Sequence, residues 1–151
     1  MMTDFYTDLL LPILRTTCTA VPVNGQSVGY PTSIQSPPWL CHIFDGMTPE
    51  AQGQVTFLRY TTIHRIHVQY QAWDVAEKQL AALANALLQR LVGRSKESLF
   101  ALPAASPYVG EAFTVSPLTT GFVTVGAVTY RIADVRTTLG IKVNATYWST
   151  L

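Results

Sequence analysis

The sequence predicts an α/β fold of the α+β kind: a mainly antiparallel sheet of about four strands, with two helices packed on one face and long partner-binding loops. Three observations predict it. Ile66, Val68 and Tyr70 alternate with Arg65, His67, Gln69 and Gln71, the period of a strand with two different faces. The period then changes, and Leu80, Leu83, Ala84, Leu87, Leu88 and Leu91 recur at helical spacing as one apolar stripe. Alternation returns later, with Val128, Tyr130 and Ile132 against Thr129, Arg131 and Ala133. It resumes with Ile141, Val143, Ala145 and Tyr147 against Lys142, Asn144, Thr146 and Trp148. A chain of 151 residues makes one domain, 1–151, and is long enough to bury a real core.

Taken in order, Asp4 to about Thr16 reads as the first helix, with Phe5, Leu9 and Ile13 along one stripe and Leu10 and Leu14 beside it. Pro12 lacks an N–H, so it should kink that helix or move its start. Val21 to Pro38 is rich in Gly, Pro, Ser and Thr, carries a turn signal at Asn24-Gly25, and has room for a short irregular strand before Pro37-Pro38. Trp39 to Phe44 is a compact apolar run and hence a buried strand, and Asp45 to Gln54 reads as a polar loop. A long strand then occupies about Thr56 to Gln71 and should bend or reach beyond the sheet. In the following helix Asp74 is suited to the N-cap, Glu77 to the N3 position of a capping box, and Gly93 to a C′ stop. Ser98 to Gly121 has no sustained period, and a segment of that kind is usually functional or ordered by a neighbour. Asp45 to Gln54 and Ser98 to Gly121 are therefore the expected assembly loops. The sheet's second face carries Arg, Lys, His, Gln, Asn and Thr, so it is expected to meet water, a channel or a partner.

Hydrophobic residues make up 48% of the chain and charged residues 13%, against a usual charged share of about 25%. A small domain so poor in charge cannot cover its surface with ions, and burial against copies of itself or against partners is expected. The formal net charge of +1 suggests neither a dedicated nucleic-acid binder nor a membrane-surface binder. Arg90, Arg94 and Lys96 cluster at a helix C-terminus, where cations complement the dipole. Two cysteines, Cys18 and Cys41, make no disulfide framework and are expected as reduced, partly buried thiols in a cytosolic setting. The first segment carries Asp4, Asp8 and Pro12 without a basic lead, so no signal peptide is expected, and no apolar run approaches the length of a membrane span.

Histidines are the main candidates for chemistry, and they do not assemble within the sequence. His64 and His67 are three apart, which on a strand places them on opposite faces, and His42 and Cys41 are separated in the same way. No motif orients either as a nucleophile pair. Gly121 to Gly126 opens no helix and so cradles no phosphate. Trp39, Trp73 and Trp148 lack an interleaved basic stripe and read as core or interface anchors. The expectation is a protein with no catalytic residues, no metal and no cofactor.

The segments DFYTDLLLPILRTT, IFDGMTPEAQGQ, HRIHVQYQAWDVAEKQLAALANALLQRLVG and IKVNATYWST follow one another in an order and texture that resemble the tail-terminator (tail-completion) proteins of long-tailed bacteriophages. The resemblance covers most of the chain and is one of layout, without a diagnostic motif. Val21 to Pro38 and the insert between Gly93 and Gly121 depart from the family's pattern. It implies a structural virion protein: a homohexameric ring that caps the tail tube, ends its polymerisation and offers a head-tail joining surface. The implied partners are the tail tube protein and a head-completion or neck protein, with DNA only passing non-specifically through the channel and no membrane. The implied location is the head-proximal end of the virion tail, reached from the host cytoplasm during assembly. Interface residues are expected at Asp45, Met47, Glu50, Arg65, His67, Phe100, Tyr108, Phe113 and Trp148. The competing readings are another connector ring, adaptor or stopper, and a small α/β enzyme or ligand-binding domain using His42, His64 or His67.

Overall fold

The computed structural model describes residues 4–52, 55–70, 72–95 and 109–144. Asp4 caps the first helix: its carboxylate accepts from the Tyr6 backbone N–H at 3.3 Å, while its own N–H donates to Asp8 at 3.0 Å. The helix starts as a π-helical segment, Phe5–Leu10, and becomes α-helical as α1, Leu11–Thr17. Pro12 explains the change of pitch. It has no N–H to give to the carbonyl of residue 8 and its ring would strike that carbonyl, so the wider turn precedes it and the regular helix begins around it.

Six strands form one sheet where about four were expected: β1 Gly25–Val28, β2 Trp39–Gln52, β3 Val55–Gln69, β4 Val109–Val115, β5 Thr119–Val125 and β6 Val128–Asn144, with α2, Trp73–Ser95, between β3 and β4. The order across the sheet is β1-β2-β3-β6-β4, and β5 also pairs with β6. All pairs are antiparallel except β1 with β2. The fold class is thus α+β.

Several expectations change here. Asp45 to Gln52 is the second half of β2 rather than a loop, because pairing with Val55–Thr61 outweighs local turn propensity. A bulge between Phe44 and Gly46 absorbs the misfit, and Gly46, at φ 124°, takes a backbone conformation that other residues resist. Pro49 is tolerated because no described strand lies beyond that edge. Asn24-Gly25 makes no hairpin: β1 runs parallel to β2, and the Asn24 N–H and side-chain amide donate to the Pro38 and Pro37 carbonyls. Much of the expected loop Ser98 to Gly121 is β4 and the start of β5, its first part lying outside the described residues. The two closing strands are one, since β6 runs unbroken through Gly140. Gly93 sits inside α2, which continues to Ser95, and Glu77 pairs with Arg131 at 2.5 Å across the fold.

Both helical segments lie on one face of the sheet, but over different halves of it. Leu87, Leu83, Leu80 and Leu91 of α2 pack on Leu40, Ile66, Val68, Ala133 and Val135. Phe5, Leu10 and Leu14 of the first helix pack on Leu58, Tyr60, Leu139 and Ile141. Between these two apolar patches the same face buries Thr62, His64 and Thr137. The second face is not the open polar surface expected. Cys41, Ile43 and Ile63 form a small core there with Trp39, and Ile34 packs on the cluster Val125, Tyr130 and Ile132. The 29–38 connection therefore crosses that face, with Tyr130 donating to the Ile34 carbonyl and the Tyr30 ring over Arg65.

The start of β1 is packed tightly. A Cβ added to Gly25 would lie 2.3 Å from the Trp39 ring, whose Nε1–H donates to Ser27 at 2.9 Å. Gly25→Ala should displace the ring and cost about 1–3 kcal/mol. Equal urea midpoints for variant and parent would contradict that packing.

Candidate functional site

The structure assembles three chemical groups that the sequence scatters. His42 on β2 and His64 on β3 are direct cross-strand partners, and their Nδ1 atoms are 2.8 Å apart. Cys18 follows α1 as its C-cap, and its Sγ and one nitrogen of each ring lie within 4.8 Å of one another. All three residues are fully buried.

The hydrogen bonds around the two rings fix their protons. The Gln26 amide donates to the Arg15 carbonyl at 3.3 Å, so its Oε1 faces His42 and accepts from Nε2–H at 2.7 Å. Nδ1 of His42 is then a bare lone pair and accepts from Nδ1–H of His64. That leaves Nε2 of His64 to accept from the Thr137 hydroxyl at 2.7 Å. Both rings are neutral in this arrangement. Burial, and after it the Arg15 guanidinium, lowers the pKa of His42 to about 4. Burial, and after it His42, holds His64 well below the usual value. The Cys18 thiol is pushed up to about 12 by burial, and it has no hydrogen-bond partner among the described residues. Sequence reasoning missed this cluster because it read residues 45–54 as a loop. Pairing Gln52 with Val55 would by itself set 42 opposite 65, and only the bulge between Phe44 and Gly46 brings His42 opposite His64.

Separation of His64 from His67, and of His42 from Cys41, is as the strand period requires. His67 stands on the second face, with Nδ1 3.9 Å from Cys41 Sγ and its ring edge-on to Tyr130. Named from the sequence as an interface residue, it is fully buried within the chain, its Nε2 without a partner among the described residues. Burial, and then Arg65, lowers its pKa to about 4.

The other expected interface residues divide into three groups. Asp45, Met47 and Glu50 are exposed on the distal half of β2, where Asp45 meets Arg136 at 3.2 Å and Glu50 meets Arg59. Arg65 is mostly buried and holds Asp134 through two bonds of 2.8 and 2.9 Å, which makes it a cross-strand tie. Phe113 on β4 is half-buried against the first helix. Phe100, Tyr108 and Trp148 lie outside the described residues.

Among the described residues, exposed apolar side chains stand out at two places on the sheet. From Ile43 to Gln52 no described strand pairs with the outer edge of β2, and Phe44 and Met47 are exposed along it. At the other end of β3, Tyr70, Trp73 and Phe122 gather with ring centres 5.4 to 6.3 Å apart at exposures of 41%, 58% and 51%, Tyr70 edge-on to the other two and Trp73 tilted 31° to Phe122. The Arg131 guanidinium lies 4.8 Å from the Phe122 ring centre and 5.8 Å from that of Trp73. Tyr70 and Phe122 were not singled out from the sequence, since nothing local brings β5 beside the start of α2.

Among the described residues no helix is long and apolar enough to cross a membrane. No protein-family model matches the chain, and no curated protein matches it.

Proposed function

We propose that this protein is a structural ring subunit that closes the tail tube of a long-tailed bacteriophage, ends tube growth and presents the surface joined by the head. The observation that carries the reading is the outer edge of β2 beyond His42, along which no described strand pairs, bordered by the exposed Phe44 and Met47. Such an edge is a template for a strand of another chain. The aromatic cluster Tyr70, Trp73 and Phe122 lies at the opposite end of β3 and is unlike it in shape and chemistry. Two dissimilar surfaces on one subunit are what a heterologous, ring-closing contact needs. The low charge content and the tail-terminator-like layout point the same way. A hexamer on the head-proximal end of the tube is the form proposed, with the tube protein and a neck protein as partners and no catalytic role. Net charge near neutrality suits a channel through which DNA passes, because each neutralised phosphate would add affinity.

The reading is tested on assembled tails. Imaging should place the protein at the head-proximal end in a copy number that matches the tube's symmetry, and its absence from that end would refute the assignment. In the same tails, backbone amides of 43–52 should exchange more slowly than in the free subunit. Trp73→Ala together with Phe122→Ala should weaken incorporation by roughly 30-fold or more, the loss expected of an aromatic hot spot of about 2 kcal/mol. Unchanged incorporation by a folded double variant would remove this cluster from the contact.

A further inference from the structure

We propose that Cys18, His42 and His64 form a binding site for one monovalent thiophilic cation of the Cu⁺ class, held by the Cys18 Sγ and by the two ring nitrogens that face each other. The site is independent of the ring reading. Its geometry is close to what a single ion requires. Two nitrogens of a three-coordinate ion, each bound at about 2.0–2.1 Å, stand roughly 3.5 Å apart, and the facing Nδ1 atoms are 2.8 Å apart with one proton between them, so the rings need to part by only about 0.7 Å. A cation would take the place of that proton.

The outer nitrogens are already secured, as ligand histidines require. Gln26 accepts from Nε2–H of His42, which leaves Nδ1 free to bind. Thr137 is a hydroxyl and can donate or accept, so His64 can carry its proton on Nε2 instead of Nδ1 without losing that bond. Gln26 also lines an open cleft of about 410 Å³ together with Arg15, Thr19 and Val21, so the bond from His42 to Gln26 is what separates the buried rings from that cleft.

Charge selects the ion. A monovalent cation with one thiolate makes a neutral unit, whereas a divalent ion would leave a net positive charge in a fully buried place near the Arg15 guanidinium. Soft thiolate and imidazole donors favour Cu⁺, and three donors satisfy it where Zn²⁺ would seek a fourth. The balance is simple. The S–H bond breaks and its proton leaves to solvent, the His64 proton moves from Nδ1 to Nε2, and three metal–ligand bonds form with no change of oxidation state.

The test titrates the reduced, chelator-washed full chain with Cu⁺ under anaerobic conditions against a chromophoric Cu⁺ chelator, with Zn²⁺ as a parallel arm. One Cu⁺ per chain and one proton released per ion are expected. Cys41→Ala should keep the ion, because Cys41 faces the other side of the sheet. Cys18→Ala should weaken binding by more than the roughly 10–100-fold that outer partners alone would cost. X-ray absorption of the loaded parent needs no variant to fold, and should show one sulfur and two nitrogen ligands. No retained Cu⁺, an ion kept by folded Cys18→Ala, tighter Zn²⁺ than Cu⁺, or a shell lacking sulfur would each overturn the proposal.

Discussion

Acidifying the metal-free protein from pH 7 to pH 4 is expected to remove much of its stability. His42 and His67 are buried neutral, with pKa values lowered to about 4 from an ordinary value near 6.5. In that window the unfolded chain takes up protons that the folded chain refuses. Their contribution is therefore complete above about pH 6.5 and is lost as the pH falls towards about 4. A displacement of that size corresponds to about 3 kcal/mol for each ring, and His64 shifts in the same direction. Domains of this kind have only about 5–15 kcal/mol in hand, so a large share would go. Guanidinium midpoints taken at pH 7, 5.5 and 4.5 should fall steadily. His67→Leu keeps the ring's place apolar and should make the fall shallower. A midpoint that does not move between pH 7 and 4.5 would show that these rings are protonated in the folded state.

The second large effect is expected from the leucine stripe of α2. Leu87 is fully buried and Leu83 nearly so, both against the sheet residues Leu40, Ile66 and Val135 and their neighbours. Leu87→Ala removes a core side chain that the surrounding strands cannot collapse to replace, and should cost about 2–5 kcal/mol, with Leu83→Ala in the same range. Lys78→Ala, on the exposed side of the same helix, should stay within about 0.5 kcal/mol. Denaturant melts of the three variants provide the comparison. Losses below about 0.5 kcal/mol for both leucine variants would mean that α2 does not rest on the sheet as described.

What the sequence determined by itself is the part of the fold written as a period. The alternation through Ile66 and Val68 marks β3, the stripe from Leu80 to Leu91 marks α2, and the pattern around Tyr130 and Ile132 marks β6. Each is legible because one element's burial against one neighbour repeats along that element alone. The strand period also kept His64 apart from His67. Pairing between distant segments decided the rest. Asp45, Gly46 and Pro49 carry turn chemistry locally, yet opposite β3 they extend a strand and open an edge. The 29–38 connection crosses a face whose polar residues suggested solvent, with Tyr30 against Arg65, while the register of β3 on β6 sets Arg65 opposite Asp134. His42, His64 and Cys18 meet only because register sets two strands opposite each other and a helix end above them. Register and crossing depend on residues far apart in the chain, and no local window carries that information.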